Sequence, residues 1–173
     1  MGCGTRSPGL NSMPERILLL LFYLGNTPFA LPARDVVEVV PFAILEAIPH
    51  APPSVVGLLH YRGAIVPVLD LCRLVYEQAC RIRMSTRIIL VHYPPDDPQA
   101  PLLGLLAERV TDMLSKQPSD MMPAGIALEE SPYLGNVFKD LCGLVRCLRV
   151  EKVLPDSIKR GLFHESGSNV GDR

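Results

Sequence analysis

Cysteine and histidine side chains are the groups in this sequence whose chemistry could support a metal site or a reactive nucleophile. The five cysteines include no Cys-x-x-Cys pair; they are Cys3, Cys72, Cys80, Cys142 and Cys147. A closed zinc site uses four thiolate or imidazole ligands, commonly at such short spacings. The histidines share no ligand spacing with these cysteines; they are His50, His60, His92 and His164. We therefore predict free thiols in a reducing compartment, with no metal site.

A hydrolytic enzyme would need an activated serine or a pair of carboxylates. Ser54 and Ser85 lack the flanking glycines of a nucleophile elbow. Asp96 and Asp97 lie in the proline-rich stretch PPDDPQAP, where acidic residues are typical turn formers. An uncharacterised enzyme is kept as one alternative, but these residues favour no catalytic role, and we expect no cofactor.

Arg62 is the charged residue whose surroundings point to recognition. It stands in the stretch GLLHYRGAIVPVLDL, directly before Gly63. One role is a structural ion pair with Asp70 or Glu38, which would offset the desolvation of a buried guanidinium. The other role is at a rim, lifted by the turn that Gly63 permits, where the guanidinium binds a carboxylate or backbone carbonyls of a partner. Its place beside a glycine turn favours the second role.

The overall charge limits the kinds of partner. The 17 lysines and arginines nearly balance 18 aspartates and glutamates, so there is no broad basic surface for nucleic acid or for a polybasic membrane anchor. The stretch CRIRMSTR gathers three arginines without an aromatic residue for base stacking, so a small-barrel nucleic-acid-binding protein is a second, disfavoured alternative. The apolar run Ile17–Leu24 is too short to span a bilayer. We predict a cytoplasmic protein without direct membrane insertion.

The elements that must position these residues are short strands. With 17 prolines and 13 glycines, the apolar segments are brief and rich in Val, Ile and Leu, which is typical of strands joined by turns. Residues 1–14 and 164–173 are rich in Gly, Ser and Asn without periodicity, and are predicted to be a disordered leader and tail.

An internal repeat organises the strands. Three segments of the first half recur in the second half at offsets of 71, 74 and 79 residues; they start at Arg16, Phe29 and Gly63. A unit of roughly 70 residues with about five strands suits a small closed barrel, because closure removes exposed strand edges. We predict a mainly β protein of two linked five-stranded barrels, SH3-like or OB-like, with short helices. Barrel 1 is expected at about 22–78 and barrel 2 at about 84–154.

The same residues resemble the CheW-like family of chemotaxis coupling proteins, which join chemoreceptors to a histidine kinase in bacterial signalling arrays. The family's central motif is matched in order by Gly57, Arg62, Gly63, Pro67, Val68, Asp70 and Leu71. Further likeness is found at Phe22–Gly25, Val36–Val40, Gly104–Leu114 and Tyr133–Val137. The resemblance covers residues 22 to about 154 and implies one CheW-like domain at 15–163, built from two five-stranded barrels.

The resemblance implies a non-catalytic adaptor without a cofactor. Its implied partners are the regulatory domain of a CheA-type histidine kinase and the cytoplasmic helical tip of a chemoreceptor. The partner-binding residues that it suggests are Arg62, Val36, Glu38, Val39, His60, Tyr61, Gly63 and Leu106. Val36 and Val39 would line a groove for the receptor tip, although both also suit an ordinary core.

His60 and Tyr61 stand where the family has Asn and Leu. This departure adjoins the implied contact surface, so we expect a changed partner choice. An auxiliary paralogue that serves a dedicated array, such as a surface-sensing (Wsp-type) array, would show such a change.

Overall fold

The computed structural model describes residues 13–125 and 131–163, which form ten β-strands and two short α-helices. The strands are β1 (Ile17–Leu24), β2 (Thr27–Pro32), β3 (Val36–Pro41), β4 (Val55–Tyr61), β5 (Ala64–Asp70), β6 (Arg87–His92), β7 (Leu102–Ala107), β8 (Arg109–Lys116), β9 (Leu134–Asp140) and β10 (Gly143–Leu148). Helix α1 (Leu71–Tyr76) follows β5, and α2 (Asp156–Leu162) follows β10. The mainly β prediction is confirmed. The predicted disordered ends lie, except for Met13 and Pro14, outside the described residues.

The strands form two five-stranded sheets. The first sheet has the order β8-β1-β2-β10-β9, and the second has the order β3-β6-β7-β5-β4. Each sheet is antiparallel except for one parallel pair, which is β2 with β10 in the first sheet and β7 with β5 in the second. Neither helix of the described residues, α1 or α2, is long and apolar enough to cross a membrane.

The sheet orders confirm the internal repeat. If each of β1 to β5 is exchanged with its equivalent among β6 to β10, so that β1 becomes β6 and β6 becomes β1, the order of one sheet becomes the order of the other. The irregular features repeat as well. Each sheet has a bulge in an edge strand, at Val37 in β3 and at Thr111 in β8. Each also has an isolated antiparallel bridge, Glu46–Leu58 in one and Met122–Val137 in the other. The chain therefore has internal two-fold pseudosymmetry.

The predicted boundary between the barrels is wrong. Each sheet combines two strands of one repeat with three of the other, so a division into residues 22–78 and 84–154 cuts through both sheets. The physical reason is that equivalent strands have the same apolar pattern. A pattern therefore predicts that a strand pairs, but not whether it pairs with a strand of its own repeat or of the other copy.

Burial on both faces explains the continuous apolar run of β1. Leu20 and Phe22 belong to the main core, which both sheets share, while Leu19 and Leu21 belong to a smaller cluster with Phe138. Because successive side chains of a strand point to opposite faces, the strand is apolar throughout instead of alternating with polar residues.

The hairpin of β4 and β5 positions the arginine. Tyr61 pairs with Ala64, so Arg62 and Gly63 form a two-residue turn, with φ of 47° and 81°. Positive φ at both turn residues is the type I′ pattern, whose twist suits a tight hairpin. Pro67 pairs with β4 just before the parallel pairing of β5 with β7 begins at Val68. A proline without an N–H is therefore tolerated there.

Candidate functional site

Three side chains form what we call the rim cluster: Glu38, Tyr61 and Arg62. Nη2 of Arg62 lies 3.1 Å from Oε2 of Glu38, and the Tyr61 hydroxyl donates a hydrogen bond to the same oxygen. The guanidinium carbon of Arg62 is 5.1 Å from the centre of the Tyr61 ring. Glu38 is in β3, Tyr61 ends β4 and Arg62 follows in the turn. Strands β3 and β4 are the opposite edges of the second sheet. The rim cluster therefore joins the two edges through side chains.

The rim cluster is exposed, which limits its effect on stability. The Arg62 side chain is 74% exposed and that of Glu38 is 38% exposed. Solvent-exposed ion pairs contribute only about 0–1 kcal/mol. Arg62 also adopts a left-handed conformation, which costs a non-glycine residue about 1–2 kcal/mol. The ion pair with Glu38 is thus present but not buried, so folding energy alone does not account for an arginine at this position.

Asp70, the other acid considered for Arg62, has a different role. It is buried, and its carboxylate accepts hydrogen bonds from the backbone N–H groups of Arg73, at 3.1 Å, and Cys80, at 3.0 Å. The first of these bonds caps α1. Asp70 therefore fixes the start of the helix and the segment that follows it.

His60 and Ile65 form the outer side of the same hairpin. They are opposite each other in the register of β4 and β5, so their side chains share one face. Nε2 of His60 lies 2.9 Å from Oε2 of Glu46, and Ile65 is 62% exposed. Neither Glu46 nor Ile65 was predicted from the sequence. Ile65 belongs to the continuous apolar run of β5, where no alternation marks an exposed position. Glu46 lies in the irregular segment after β3 and gave no signal.

The remaining predicted residues fall into different environments. Val36 and Val39 are half-buried and pack against the main core. Gly63 supplies the turn, with open space where a Cβ would stand. Leu106 is only 2% exposed, so its prediction as a partner contact is corrected. It lies in β7, the central strand of the second sheet, and its side chain belongs to the main core.

This geometry can be compared with known proteins. The CheW-like domain family matches residues 18–157, most of the chain. The chain belongs to the CheW-like domain family. A solved relative, the scaffolding protein TtCheW from Thermoanaerobacter tengcongensis, superposes with a TM-score of 0.74 at 19% identity, over 88% of this chain and 96% of its own. The predicted two-barrel CheW fold is confirmed by this likeness.

Curated relatives of this CheW-like domain are a quarter to a third identical to it over the segments that align. The chemotaxis protein CheW of Helicobacter pylori is 25% identical over 81% of this chain and 83% of its own. That of Rhizobium meliloti is 27% identical over 61% of this chain and 64% of its own. Protein FrzA of Myxococcus xanthus is 32% identical over 40% of this chain and 43% of its own. The matched segments thus span less than two thirds of the last two proteins.

One group in this CheW-like domain brings three possible metal ligands together. The ligand atoms of Asp70, Cys72 and Cys80 all lie within 4.8 Å of one another. The two sulfur atoms are 2.7 Å apart. Two thiolates bonded to one zinc ion at about 2.3 Å in tetrahedral geometry would be roughly 3.8 Å apart. Since the Asp70 carboxylate already accepts two backbone N–H groups, the arrangement does not fit a zinc site.

The residues behind the two alternative functions serve local structure. Oδ1 of Asp97 accepts the backbone N–H of Gln99 at 2.9 Å, which is a turn-forming bond. The Arg87 guanidinium donates to the carbonyl of Thr86 at 2.9 Å, and the backbone N–H of Arg81 donates to Glu108. These bonds hold the connection into β6 to the CheW-like domain.

Proposed function

We propose that this CheW-like domain is a non-catalytic coupling protein of a bacterial chemosensory array. In this proposal it binds the regulatory domain of a CheA-type histidine kinase and the cytoplasmic helical tip of a chemoreceptor, and it acts in the cytoplasm at membrane-bound receptor arrays. Family membership supports the proposal, as do relatives named as chemotaxis proteins and as a scaffolding protein.

The observation that carries the proposal is the exposed guanidinium of the rim cluster. Within the described residues, Arg62 has its ion pair with Glu38 through a single nitrogen. A guanidinium has five N–H donors in a rigid fork, so Arg62 keeps donors for a carboxylate or for backbone carbonyls of a partner. Glu38 and the Tyr61 ring orient this fork before binding, which lowers the entropic cost of association.

Exposed apolar residues near the rim cluster supply the second requirement of an interface. Binding surfaces combine apolar anchors with an orienting charge. Ile65 is 62% exposed on the outer face of the hairpin, and Val37 is 44% exposed at the bulge of β3. Val36 and Val39 flank that bulge in half-buried positions. We assign them to the groove that receives the apolar face of the receptor helix.

His60 and Tyr61 give this surface its individual character. Tyr61 orients Glu38, and His60 pairs with Glu46. Because both side chains replace smaller or apolar residues of the family pattern, the proposal includes a partner preference that differs from that of a general coupler. Service in a surface-sensing array stays a prediction.

The experiment that tests coupling is sedimentation of receptor-containing membranes. Membranes carrying a candidate chemoreceptor are mixed with a candidate CheA-type histidine kinase, with and without the protein. Coupling predicts that the kinase sediments in stoichiometric amount only when the protein is present. The proposal is wrong if the protein binds neither component, or if sedimentation of the kinase is the same without it.

A further inference from the structure

Cys72 and Cys80 lie in contact in the interior of the protein. Cys72 is in the first turn of α1, and Cys80 is in the segment 77–86 that leads from α1 to β6. Both are buried, and their sulfur atoms are 2.7 Å apart. Non-bonded carbon atoms pack at about 3.5–4.0 Å, and sulfur is larger, whereas a disulfide bond measures about 2.05 Å. We infer that these two cysteines are a disulfide-forming pair, and that the bond fastens segment 77–86 to α1.

The backbones of both cysteines are fixed by contacts that do not involve the thiols. Oδ1 of Asp70 accepts the N–H of Arg73 and so begins the helix that carries Cys72. Oδ2 of Asp70 accepts the N–H of Cys80. At Glu77, a left-handed residue with φ of 58° ends the helix and turns the chain back. One carboxylate therefore holds both cysteine backbones in place, so that bond formation needs only a small movement of the side chains.

The site favours a neutral disulfide over charged thiolates. The hydrogen bond to Cys72, burial and the neighbouring Asp70 carboxylate together raise the pKa of the Cys80 thiol far above its usual range. The nucleophile in thiol–disulfide exchange is the thiolate. Cys72 lines a pocket of about 290 Å³ together with Tyr76 and Arg81, through which an oxidant can approach its sulfur atom. Oxidation therefore begins at Cys72.

The oxidant is a small disulfide such as oxidised glutathione. The Cys72 thiolate attacks one of its sulfur atoms, forms a mixed disulfide and releases one glutathione. As Cys80 gives up its proton to the departing glutathione, its sulfur attacks Cys72, the bond between Cys72 and glutathione breaks, and the second glutathione leaves as a thiol. Two cysteine thiols thus lose two hydrogen atoms in total, and one oxidised glutathione becomes two reduced molecules.

The test is a peptide map of the full chain refolded in oxidised glutathione, without reduction. Trypsin cleaves after Arg62, Arg73 and Arg81, which places the two cysteines on separate peptides, Gly63–Arg73 and Leu74–Arg81. We expect these peptides to appear joined, with two hydrogen atoms fewer than their sum, and to separate on reduction. The oxidised protein should melt roughly 5–10 °C above the reduced protein, as expected for a short loop closed in a chain of this size.

A double variant, Cys142→Ser with Cys147→Ser, is the matched control and should keep both the joined peptides and the shift in Tm. The inference is overturned if Cys72 and Cys80 remain thiols after refolding in oxidised glutathione. It is equally overturned if they pair only with other cysteines, or if native mass spectrometry finds a metal ion that both thiols hold. None of these measurements depends on the proposed coupling function.

Discussion

Glu38 and Arg62 form an ion pair that links the two edges of one sheet, and an ion pair at different positions links the edges of the other sheet. In the other sheet, Nζ of Lys116 in β8 lies 2.9 Å from Oδ1 of Asp140 at the end of β9, again between edge strands. The exposures differ. Lys116 and Asp140 are 18% and 20% exposed, whereas Arg62 is 74% exposed. The more buried pair stabilises its sheet, while the exposed pair displays a guanidinium.

This contrast predicts unequal costs for removing the two cations. Lys116→Met should lower the free energy of unfolding by about 1–3 kcal/mol, because Asp140 loses a partly buried charged hydrogen-bond partner. Arg62→Asn should change it by less than about 1 kcal/mol, because the exposed ion pair is weak and asparagine suits the turn. Urea denaturation of both variants gives the comparison. Equal losses would contradict the distinction between the pairs.

The stabilisation that Tyr61 provides is expected to depend on alkaline pH. The hydrogen bond from Tyr61 to Glu38 favours the protonated phenol and raises the pKa of Tyr61 above the ordinary value of 10.0. The folded-state pKa therefore lies above that of the unfolded chain, so the stabilisation is present below about pH 10 and is lost as pH rises through the folded pKa. Ultraviolet titration of phenolate should show a step above pH 10 that Tyr61→Phe removes. If the titration step that Tyr61→Phe removes lies at or below the ordinary pKa of tyrosine, the hydrogen bond to Glu38 is absent in solution.

Position 57 is expected to require glycine, because the neighbouring backbone leaves no space for a larger side chain. Gly57 has φ of 150°, and a Cβ built there would lie 2.6 Å from the carbonyl oxygen of Glu46. Gly57→Ala should therefore separate β4 from the segment of Glu46 and cost about 2–4 kcal/mol in unfolding free energy. The control is Gly161→Ala in α2, where a Cβ meets open space and should be neutral or slightly stabilising. Similar stabilities for the two variants would show that the close approach is not maintained.

A charge introduced at Val36 is expected to weaken receptor binding. Val36 is half-buried beside the bulge of β3, so Val36→Asp should lower the Tm by a few degrees yet leave a folded protein, because the carboxylate can reach solvent. If the groove assignment is right, binding to a receptor-tip fragment should fall at least about tenfold, the range of an interface anchor. Circular dichroism and calorimetry separate the outcomes. Global unfolding, or full binding by the folded fraction, would make Val36 an ordinary core residue.

The repeat pattern predicted hairpin geometry well but pairing between copies poorly. At the offset of 79, the end of β4 at Tyr61 corresponds to the end of β9 at Asp140, as the structure confirms. For β1 and β6 the pairing gives an offset of 69 instead of 71, since Leu21 pairs with Ala30 as Leu90 pairs with Gly104. That error of two residues is one strand period, so the buried faces were still correct.

Two site features were beyond sequence patterns for identifiable reasons. Leu106 was assigned to a partner surface on the family resemblance alone, but its segment is a continuous apolar run, as is typical of a central strand that is buried on both faces. The contact of Cys72 with Cys80 depends on a left-handed helix end at Glu77 and on the Asp70 carboxylate. These are three-dimensional details that a spacing of eight residues does not reveal.

The central claim is that Arg62 is retained for binding and not for folding, and Arg62→Asn tests it most directly. Calorimetric titration with the kinase regulatory domain and with the receptor-tip fragment should show binding of at least one partner weakened about 10- to 100-fold, while the Tm stays within about 2 °C of the parent. Arg62→Lys should recover little affinity because it loses the fork, and Arg83→Asn, at an exposed arginine outside the rim cluster, should bind normally. If Arg62→Asn instead melts far below the parent while its folded fraction binds both partners normally, the arginine is structural and the account is wrong.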